Sequence, residues 1–214
     1  MLNLNYHIRQ LDLIHPDKLK MPIAVIGAGS TGSFVVYALL KLGCQDVTVM
    51  DFDTVEEHNV GSQIYSSMDI SKPKVEALKD KLFFLSEIEP KIRQERWTPQ
   101  VSLEGFDIVI SAVDTMKVRQ DLFESDMRLN VPHFIDGRMA RNEINLYYTH
   151  LLSQVACDFY EKTLCSDEEA SSIQCSERSV IYNCFVVSGL IAAIVAQIAN
   201  NEKPKRETIV DLKN

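Results

Sequence analysis

The sequence predicts an α/β protein with a Rossmann-like, doubly wound and mostly parallel sheet that gains antiparallel strands toward the C-terminus. Three observations predict this fold. Short apolar runs alternate with longer segments whose apolar residues recur at helical spacing. A glycine-rich turn separates the first apolar run from the first helix. No internal repeat and no linker interrupts the 214 residues, which therefore predict a single domain.

The predicted elements follow one another in a regular order. Ile23–Ile26 is a short apolar strand, the segment 33–42 a helix, and the segment 46–50 a second strand parallel to the first. Beyond them the pattern predicts helices at 74–85, 118–128 and 180–199, and strands at 92–97, 106–112, 132–137, 143–149 and 208–212. We expect one domain over residues 1–214, with an N-terminal arm at 1–21 and an exposed crossover loop at 157–177.

Composition excludes several classes of protein. The formal net charge of -8 argues against a surface that grips nucleic-acid phosphates. Polar residues interrupt the apolar segment 180–199, which favours a buried helix over a membrane span. The first ten residues contain no continuous apolar run, so we expect no signal peptide and a cytoplasmic location.

The glycine-rich turn predicts a nucleotide site. Gly27, Gly29 and Gly32 have the spacing that lets the backbone approach phosphates held at the N-terminus of a helix. Asp51 ends the second strand, where a carboxylate accepts hydrogen bonds from ribose hydroxyls. These features fit a nicotinamide dinucleotide as well as ATP, so an NAD-dependent oxidoreductase remains an alternative.

Three further motifs separate these alternatives. They are the run Asp-Phe-Asp-Thr-Val-Glu-Glu-His-Asn-Val-Gly-Ser-Gln at 51–63, Ser-Lys-Pro-Lys at 71–74, and Val-Asp-Thr-Met-Lys-Val-Arg at 113–119. Together they resemble the ThiF/MoeB/HesA family, the bacterial relatives of ubiquitin-activating enzymes, over about residues 23–199. The resemblance implies an enzyme that uses ATP and Mg²⁺ to adenylate the C-terminal carboxylate of a small ubiquitin-like or sulfur-carrier protein ending in Gly. It also implies a homodimer.

The resemblance assigns roles within the first run. It implies that Asp51 binds the ribose and that Asn59 faces the nucleotide phosphates. Asp53 and Gln63, in the same run, are implied to line the cofactor site. The family usually has Arg where this chain has Ser62, and the loss of a phosphate-binding arginine could weaken turnover.

The other two motifs carry the groups that handle phosphate charge. Lys74 resembles the lysine that neutralises the triphosphate, and Asp114 the aspartate that holds Mg²⁺. Arg119 completes the Asp-x-x-x-x-Arg pattern and is implied to bind the cofactor. A carboxylate that attacks a phosphate brings two anions together, so a lysine and a metal ion must offset their repulsion. Thr115 replaces the usual Asn, and with Ser62 it motivates a third alternative, a catalytically impaired scaffold of the same family.

Two further residues extend the predicted site. Arg9 resembles the N-terminal arginine that family dimers lend to the neighbouring subunit. Cys175 lies where many family members carry a crossover-loop cysteine, before the long apolar helix. A thiolate there could attack an acyl adenylate and form a thioester or an acyl disulfide. The five cysteines contain no CxxC pair, so we expect no structural zinc.

Overall fold

A seven-stranded mixed sheet forms the centre of the chain in the computed structural model, which describes residues 3–140, 142–168 and 180–213. The strands are β1 (Ile23–Ile26), β2 (Val47–Met50), β3 (Lys91–Arg93), β4 (Ile108–Ser111), β5 (His133–Ala140), β6 (Glu143–His150) and β7 (Glu207–Asp211). Their order in the sheet is β3-β2-β1-β4-β5-β6-β7.

The strand directions confirm the predicted fold class. β3, β2, β1, β4 and β5 run parallel, whereas β6 pairs antiparallel with both β5 and β7. Every residue of β1, β2 and β4 is buried, because helices cover both faces of this part of the sheet. The β1 and β2 strands and the helix between them form the βαβ unit that the sequence predicts.

Six α-helices pack on the sheet within the described residues. They are α1 (Ser30–Leu42), α2 (Lys74–Ser86), α3 (Met116–Glu124), α4 (Met127–Asn130), α5 (Gln154–Glu161) and α6 (Ile181–Ala199). Alternate residues of β1 divide the core, since Ile23 and Val25 face α1, α2 and α6 while Ala24 and Ile26 face the cluster that holds α3, α4 and α5.

The long helix α6 forms part of the core. By length and apolar composition alone it could cross a membrane, and it is the one helix of the described ranges that could. Its inner stripe, Val187, Ile191 and Val195, is fully buried. Gly137 of β5 lets the helix approach, because a Cβ there would lie 3.2 Å from Val187 Cγ2. The structure thus uses this segment as the core helix that the sequence predicts.

Several predicted boundaries need correction. Helix α1 begins at Ser30 and not at 33, and β5 extends to Ala140 and not to 137. Three other differences are larger. The predicted crossover loop begins at 157, but 157–161 complete helix α5, because Ala156, Cys157 and Tyr160 form one buried face. The predicted helix 118–128 is two helices, since the Ser125 hydroxyl donates to the Leu122 carbonyl and accepts from the Met127 N–H, which ends α3. The predicted strand 92–97 is the edge strand 91–93.

The N-terminal arm lies at the far end of α1 from the glycine-rich turn. It contains two short 3-10 segments, Leu4–Gln10 and Pro16–Lys18, and buries Ile14 and Leu19. The Gln10 side-chain amide donates to the Leu42 carbonyl at 2.7 Å, which attaches the arm to the C-terminal end of α1.

Candidate active site

The glycine-rich turn joins β1 to α1 and contains two kinds of glycine. Gly27 has φ +101°, and a Cβ on it would lie 2.6 Å from the Ala112 carbonyl oxygen. A Cβ on Gly32 would lie 1.9 Å from the Gly27 carbonyl oxygen. The protein's own backbone therefore requires these two glycines. A Cβ on Gly29 would meet nothing within 4 Å, so the turn at the α1 N-terminus faces open space that a phosphate group can approach.

Asp51 connects this turn to the end of β2. Its Oδ2 accepts from the Ala28 N–H at 2.6 Å and its Oδ1 from the Asp53 N–H at 2.8 Å. Each carboxylate oxygen retains a second lone pair, which a ribose hydroxyl could use. The Tyr65 hydroxyl donates to the Ala28 carbonyl at 2.7 Å, and burial raises the pKa of Tyr65, which keeps this donor protonated. Hydrogen bonds to both the N–H and the carbonyl of Ala28 thus hold the turn.

Lys74 lies next to Asp53 at the start of α2. Its Nζ is 3.1 Å from Asp53 Oδ2, and its N–H donates to the Asp53 carbonyl at 2.9 Å. The Val55 N–H donates to the Lys72 carbonyl, so two short segments on either side of a long loop pair with each other. The Lys74 side chain is 9% exposed and that of Asp53 is 46% exposed. A buried ammonium group therefore contacts Asp53, which lies two residues beyond the carboxylate that holds the glycine-rich turn.

Asn59 and Gln63 lie in the loop between β2 and α2. Asn59 is buried, and its Oδ1 accepts from the Glu56 N–H at 2.9 Å, which caps the short turn Glu57–Asn59. The Gln63 Oε1 is buried and has no hydrogen-bond partner within the described ranges. A buried acceptor without a donor is costly, so a ligand hydroxyl or amine at this position would be stabilised. The Ser62 carbonyl contacts the Cys184 thiol of α6.

Asp114 follows β4 and lies at the same edge of the sheet as the glycine-rich turn. It is exposed and forms no hydrogen bond or ion pair with the rest of the described chain. Thr115 is the N-cap of α3, and its Oγ1 accepts from the Val118 N–H at 3.4 Å. Because Asn and Thr both cap helices, Thr115 retains this function where the resemblance leads us to expect Asn.

Arg119 points away from solvent, whereas Asp114 is exposed. The Arg119 side chain is buried, and its Nε donates to Asp136 Oδ1 at 3.0 Å while its Nη2 donates to the Val113 carbonyl. The resemblance implies cofactor binding for Arg119, but these donors are used inside the protein because the side chain points into the core. Arg119 therefore holds the turn that carries Asp114.

Asp136 is the centre of a buried ionic cluster that the sequence did not indicate. Its Oδ2 accepts from Arg138 Nε at 2.7 Å and from the Tyr160 hydroxyl at 2.9 Å. Burial raises the pKa of Asp136, but the charges of Arg119 and Arg138 and two hydrogen bonds lower it more, so it lies below its ordinary value. Arg138 continues the cluster by donating to the carbonyl and hydroxyl of Thr163.

Asp167 is a second residue that the sequence did not indicate. Its Oδ1 accepts from the Met116 N–H at 2.6 Å and from the Lys117 N–H at 3.4 Å, at the start of α3. It lies in an acidic segment without a distinguishing spacing, so only the fold brings it next to the Asp114 turn.

Of the two remaining predicted residues, Arg9 is not at this edge. Arg9 is exposed on the N-terminal arm, which packs at the opposite end of α1 from Gly29. Because α1 has 13 residues, it separates the two by about 18 Å. Cys175 lies outside the described residues.

An open cleft of about 750 Å³ adjoins the site and is less suited to a polyphosphate than the glycine-rich turn. It is lined by Thr54, Val55, Glu56, Glu57, His58, Ile70 and Ser71. The two glutamates would repel a polyphosphate, whereas the glycine-rich turn offers backbone N–H groups.

The sequence matches a known protein family and several known proteins. The ThiF family model matches residues 8–213. The chain is 27% identical over 197 residues to the molybdopterin-synthase adenylyltransferase of Haemophilus influenzae, across 88% of this chain and 74% of that protein. It is 30% identical over 114 residues to tRNA threonylcarbamoyladenosine dehydratase 1 of Saccharomyces cerevisiae, across 48% of this chain and 26% of that protein.

Solved structures share the fold. The crystal structure of E. coli MccB with ATP superimposes with a TM-score of 0.78 at 19% identity, across 99% of this chain and 69% of MccB. The chain spans about a quarter of the yeast dehydratase and about three quarters of the Haemophilus influenzae protein. Because the family match extends over nearly the whole sequence, this chain belongs to the ThiF family.

Proposed function

We propose that this chain is an ATP-dependent adenylyltransferase that activates the C-terminal carboxylate of a small ubiquitin-like or sulfur-carrier protein ending in Gly. Family membership and the adenylyltransferase name of the Haemophilus influenzae relative support the reaction class. The sequence motifs that resemble ubiquitin-activating enzymes support the substrate class.

One observation carries the proposal more than any other. Asp51 connects two parts of the site. One of its oxygens accepts from Ala28, in the turn that leaves open space at Gly29, and the other accepts from Asp53. Asp53 in turn contacts the buried ammonium group of Lys74. A nucleotide with its ribose at Asp51 would have phosphates near both the α1 N-terminus and Lys74. A nicotinamide dinucleotide has no triphosphate for Lys74 to neutralise.

The chemistry follows from these groups. A substrate carboxylate oxygen attacks the α-phosphorus of ATP and forms a new O–P bond. The bond between the α-phosphorus and the oxygen that bridges it to the β-phosphorus breaks. Pyrophosphate leaves with that oxygen, so no proton or electron is needed. Lys74 offsets the negative charge of the phosphates, and the N–H groups at the α1 N-terminus stabilise charge that shifts onto the phosphate oxygens.

Asp114 would hold Mg²⁺ in this scheme. Its carboxylate has no cation partner in the described part of the chain, and hard oxygen ligands are those that Mg²⁺ prefers. When bound, Mg²⁺ would neutralise phosphate charge and stabilise the leaving pyrophosphate.

A thiol-transfer step is a separate part of the proposal and rests on the sequence. The Cys175 thiolate would attack the acyl adenylate, forming a C–S bond as the C–O bond to AMP breaks. Cys175→Ala should leave pyrophosphate exchange intact and abolish the covalent carrier adduct seen by intact-mass spectrometry, while Cys165→Ala should retain both. An adduct that persists in Cys175→Ala would refute this step.

We also propose a homodimer in which Arg9 acts at the partner's site. Support comes from the position of Arg9, which is about one helix length from the glycine-rich turn of its own chain. Mixed and reassembled Arg9→Ala and Lys74→Ala chains should regain about a quarter of wild-type activity, since half the dimers hold one intact site. If the mixture is as inactive as its components, Arg9 does not act in this way.

Isotope exchange between pyrophosphate and ATP tests the reaction. With a carrier protein ending in Gly-Gly, wild-type protein should catalyse exchange, and Lys74→Ala should reduce the rate by about 10²–10³. The matched control is Lys79→Ala on the same helix, whose Nζ contacts Glu89 away from the site, and it should leave the rate unchanged. Absence of exchange with every carrier, together with absence of ATP binding, would refute the proposal.

The same preparations distinguish the two alternatives. Calorimetric titration with NADH and ATP should show binding of ATP, and a preference for NADH would favour an oxidoreductase. The catalytically impaired scaffold predicts ATP binding without pyrophosphate exchange, unchanged by Lys74→Ala.

A further inference from the structure

The Asp136 carboxylate joins two segments that border the Asp114 turn. It lies on β5 opposite Ser111, the last residue of β4, and is fully buried. Its Oδ1 accepts a hydrogen bond from Arg119, and its Oδ2 accepts one from Arg138. The side chain is therefore level with the strand end from which the Asp114 turn departs.

The first connection passes through Arg119. This side chain links Asp136 to the Val113 carbonyl, and Val113 immediately precedes Asp114. Arg119 Nη2 also reaches the Gly137 carbonyl at 3.5 Å. The near side of the Asp114 turn is thus attached to β5.

The second connection passes through Arg138. Its Nη1 donates to the Thr163 carbonyl at 2.7 Å and its Nη2 to Thr163 Oγ1 at 3.1 Å. Four residues later, Asp167 accepts from the Met116 N–H, two residues beyond Asp114. The far side of the same turn is thus attached to β5 through the segment 163–167.

We propose that Asp136 is a positioning residue of the adenylation site, which fixes the Asp114 carboxylate by holding its turn from both sides. This inference rests on the proposed function, because it assumes that Asp114 binds Mg²⁺.

The chemistry of the cluster favours positioning over simple stability. A buried ionic cluster is often no more stabilising than apolar residues of the same volume, because desolvation of the charges offsets their attraction. The cluster instead fixes the positions of the segments it joins, because each planar guanidinium donates its hydrogen bonds in fixed directions to particular oxygen atoms. An amide in place of the Asp136 carboxylate would leave one acceptor oxygen for two buried arginines, so at least one connection would lose its hydrogen bond.

Calorimetric titration of ATP tests the inference when it is run once with Mg²⁺ and once with EDTA. In wild type, Mg²⁺ should increase the affinity for ATP. In Asp136→Asn, this gain should fall about tenfold or more, since small displacements of a positioned group have large effects. The affinity in EDTA should stay within about twofold of wild type, because Ala28 of the glycine-rich turn bonds to Asp51 and not to the cluster.

A milder variant guards against failure to fold. Tyr160→Phe removes one hydrogen bond to Asp136 Oδ2 and leaves all charges in place, so the Mg²⁺ gain should fall about two- to tenfold. Its matched control is Tyr148→Phe, which removes a hydroxyl that contacts His133 at the other end of β5 and should leave the gain unchanged.

The outcomes distinguish failure of the positioning role of Asp136 from failure of the metal role of Asp114. If folded Asp136→Asn and Tyr160→Phe both keep the full Mg²⁺ gain, positioning by Asp136 is refuted and the proposed function stands. If ATP affinity falls equally with Mg²⁺ and EDTA, Asp136 has a structural role only and the inference is refuted. If wild type itself shows no Mg²⁺ gain, both the metal role of Asp114 and its positioning by Asp136 are refuted.

Discussion

The two halves of the candidate site are held in different ways. On the β1–β2 side, the backbone of the glycine-rich turn is fixed directly, by hydrogen bonds between Ala28 and the side chains of Asp51 and Tyr65. On the β4–β5 side, the Asp114 turn is fixed from a distance, by a fully buried carboxylate and two arginines. The first half presents backbone N–H groups and the second an exposed carboxylate.

This difference matches what each half would bind in the proposed function. Backbone N–H groups need only a tight turn, which glycines supply locally. A carboxylate meant for a metal ion cannot be neutralised by a neighbouring cation, so its position must be fixed through the main chain around it. Arg119 provides that support without contacting Asp114 itself, because it donates to the Val113 carbonyl.

The largest expected effect separates the two kinds of glycine in the first half. Gly32→Ala should lower the free energy of unfolding by more than about 4 kcal/mol, because its Cβ would collide with the Gly27 carbonyl. Gly29→Ala should cost less than about 1 kcal/mol, because its Cβ meets only open space. Urea denaturation measures both.

ATP titration of the same pair completes this test. Gly29→Ala should bind ATP about tenfold or more weakly, because the methyl group enters the space that the phosphates would use. A stable Gly29→Ala protein with wild-type affinity would place the nucleotide elsewhere.

In the second half, Arg119→Met should lower the free energy of unfolding by about 3–5 kcal/mol. The substitution removes one of the two charges that compensate Asp136 and leaves the Val113 carbonyl without its donor. Urea denaturation is again the measurement, and Lys117→Met on the same helix is the control, with little expected change because its ammonium group is exposed. Equal changes in the two variants would contradict a special role for Arg119.

The smallest effect concerns the two ends of β5. Burial and the nearby His150 lower the pKa of His133 from 6.5 to about 4, so the folded state favours its neutral form. The unfolded chain binds the proton more readily between these values, so stability should fall as pH falls from about 6.5 to about 4. His133→Gln should remove a part of this decline worth about 1 kcal/mol or less, because the half-exposed ring is screened by solvent.

Denaturation at several pH values measures this decline. Asp136 should contribute only at the acid end of that range, because its pKa lies below its ordinary value of 3.8 and its stabilising effect is lost as the unfolded chain becomes protonated there. Tyr148, whose hydroxyl contacts the His133 ring, and His150 are the groups that face it. An unchanged pH profile in His133→Gln would assign the decline to another group.

The sequence predicts the first half of the site much better than the second. Gly27, Gly32 and Asp51 belong to local motifs whose spacing reflects the geometry of a strand, a turn and a helix. Two of the partners of Asp136, Arg119 and Tyr160, are 17 and 24 residues away, and no periodicity connects them to it. Strand ends were also less predictable than strand centres, because β3 pairs with one neighbour and stops after three residues.

Amide hydrogen exchange with bound nucleotide tests the central claim most directly, that one nucleotide occupies both halves of this edge. With ATP and Mg²⁺, exchange should slow in the glycine-rich turn at 27–33 and in the Asp114 turn at 113–119. With ATP and EDTA, the slowing should be confined to 27–33. Slowing confined to the cleft at 54–58, or no slowing at either turn, would contradict the account.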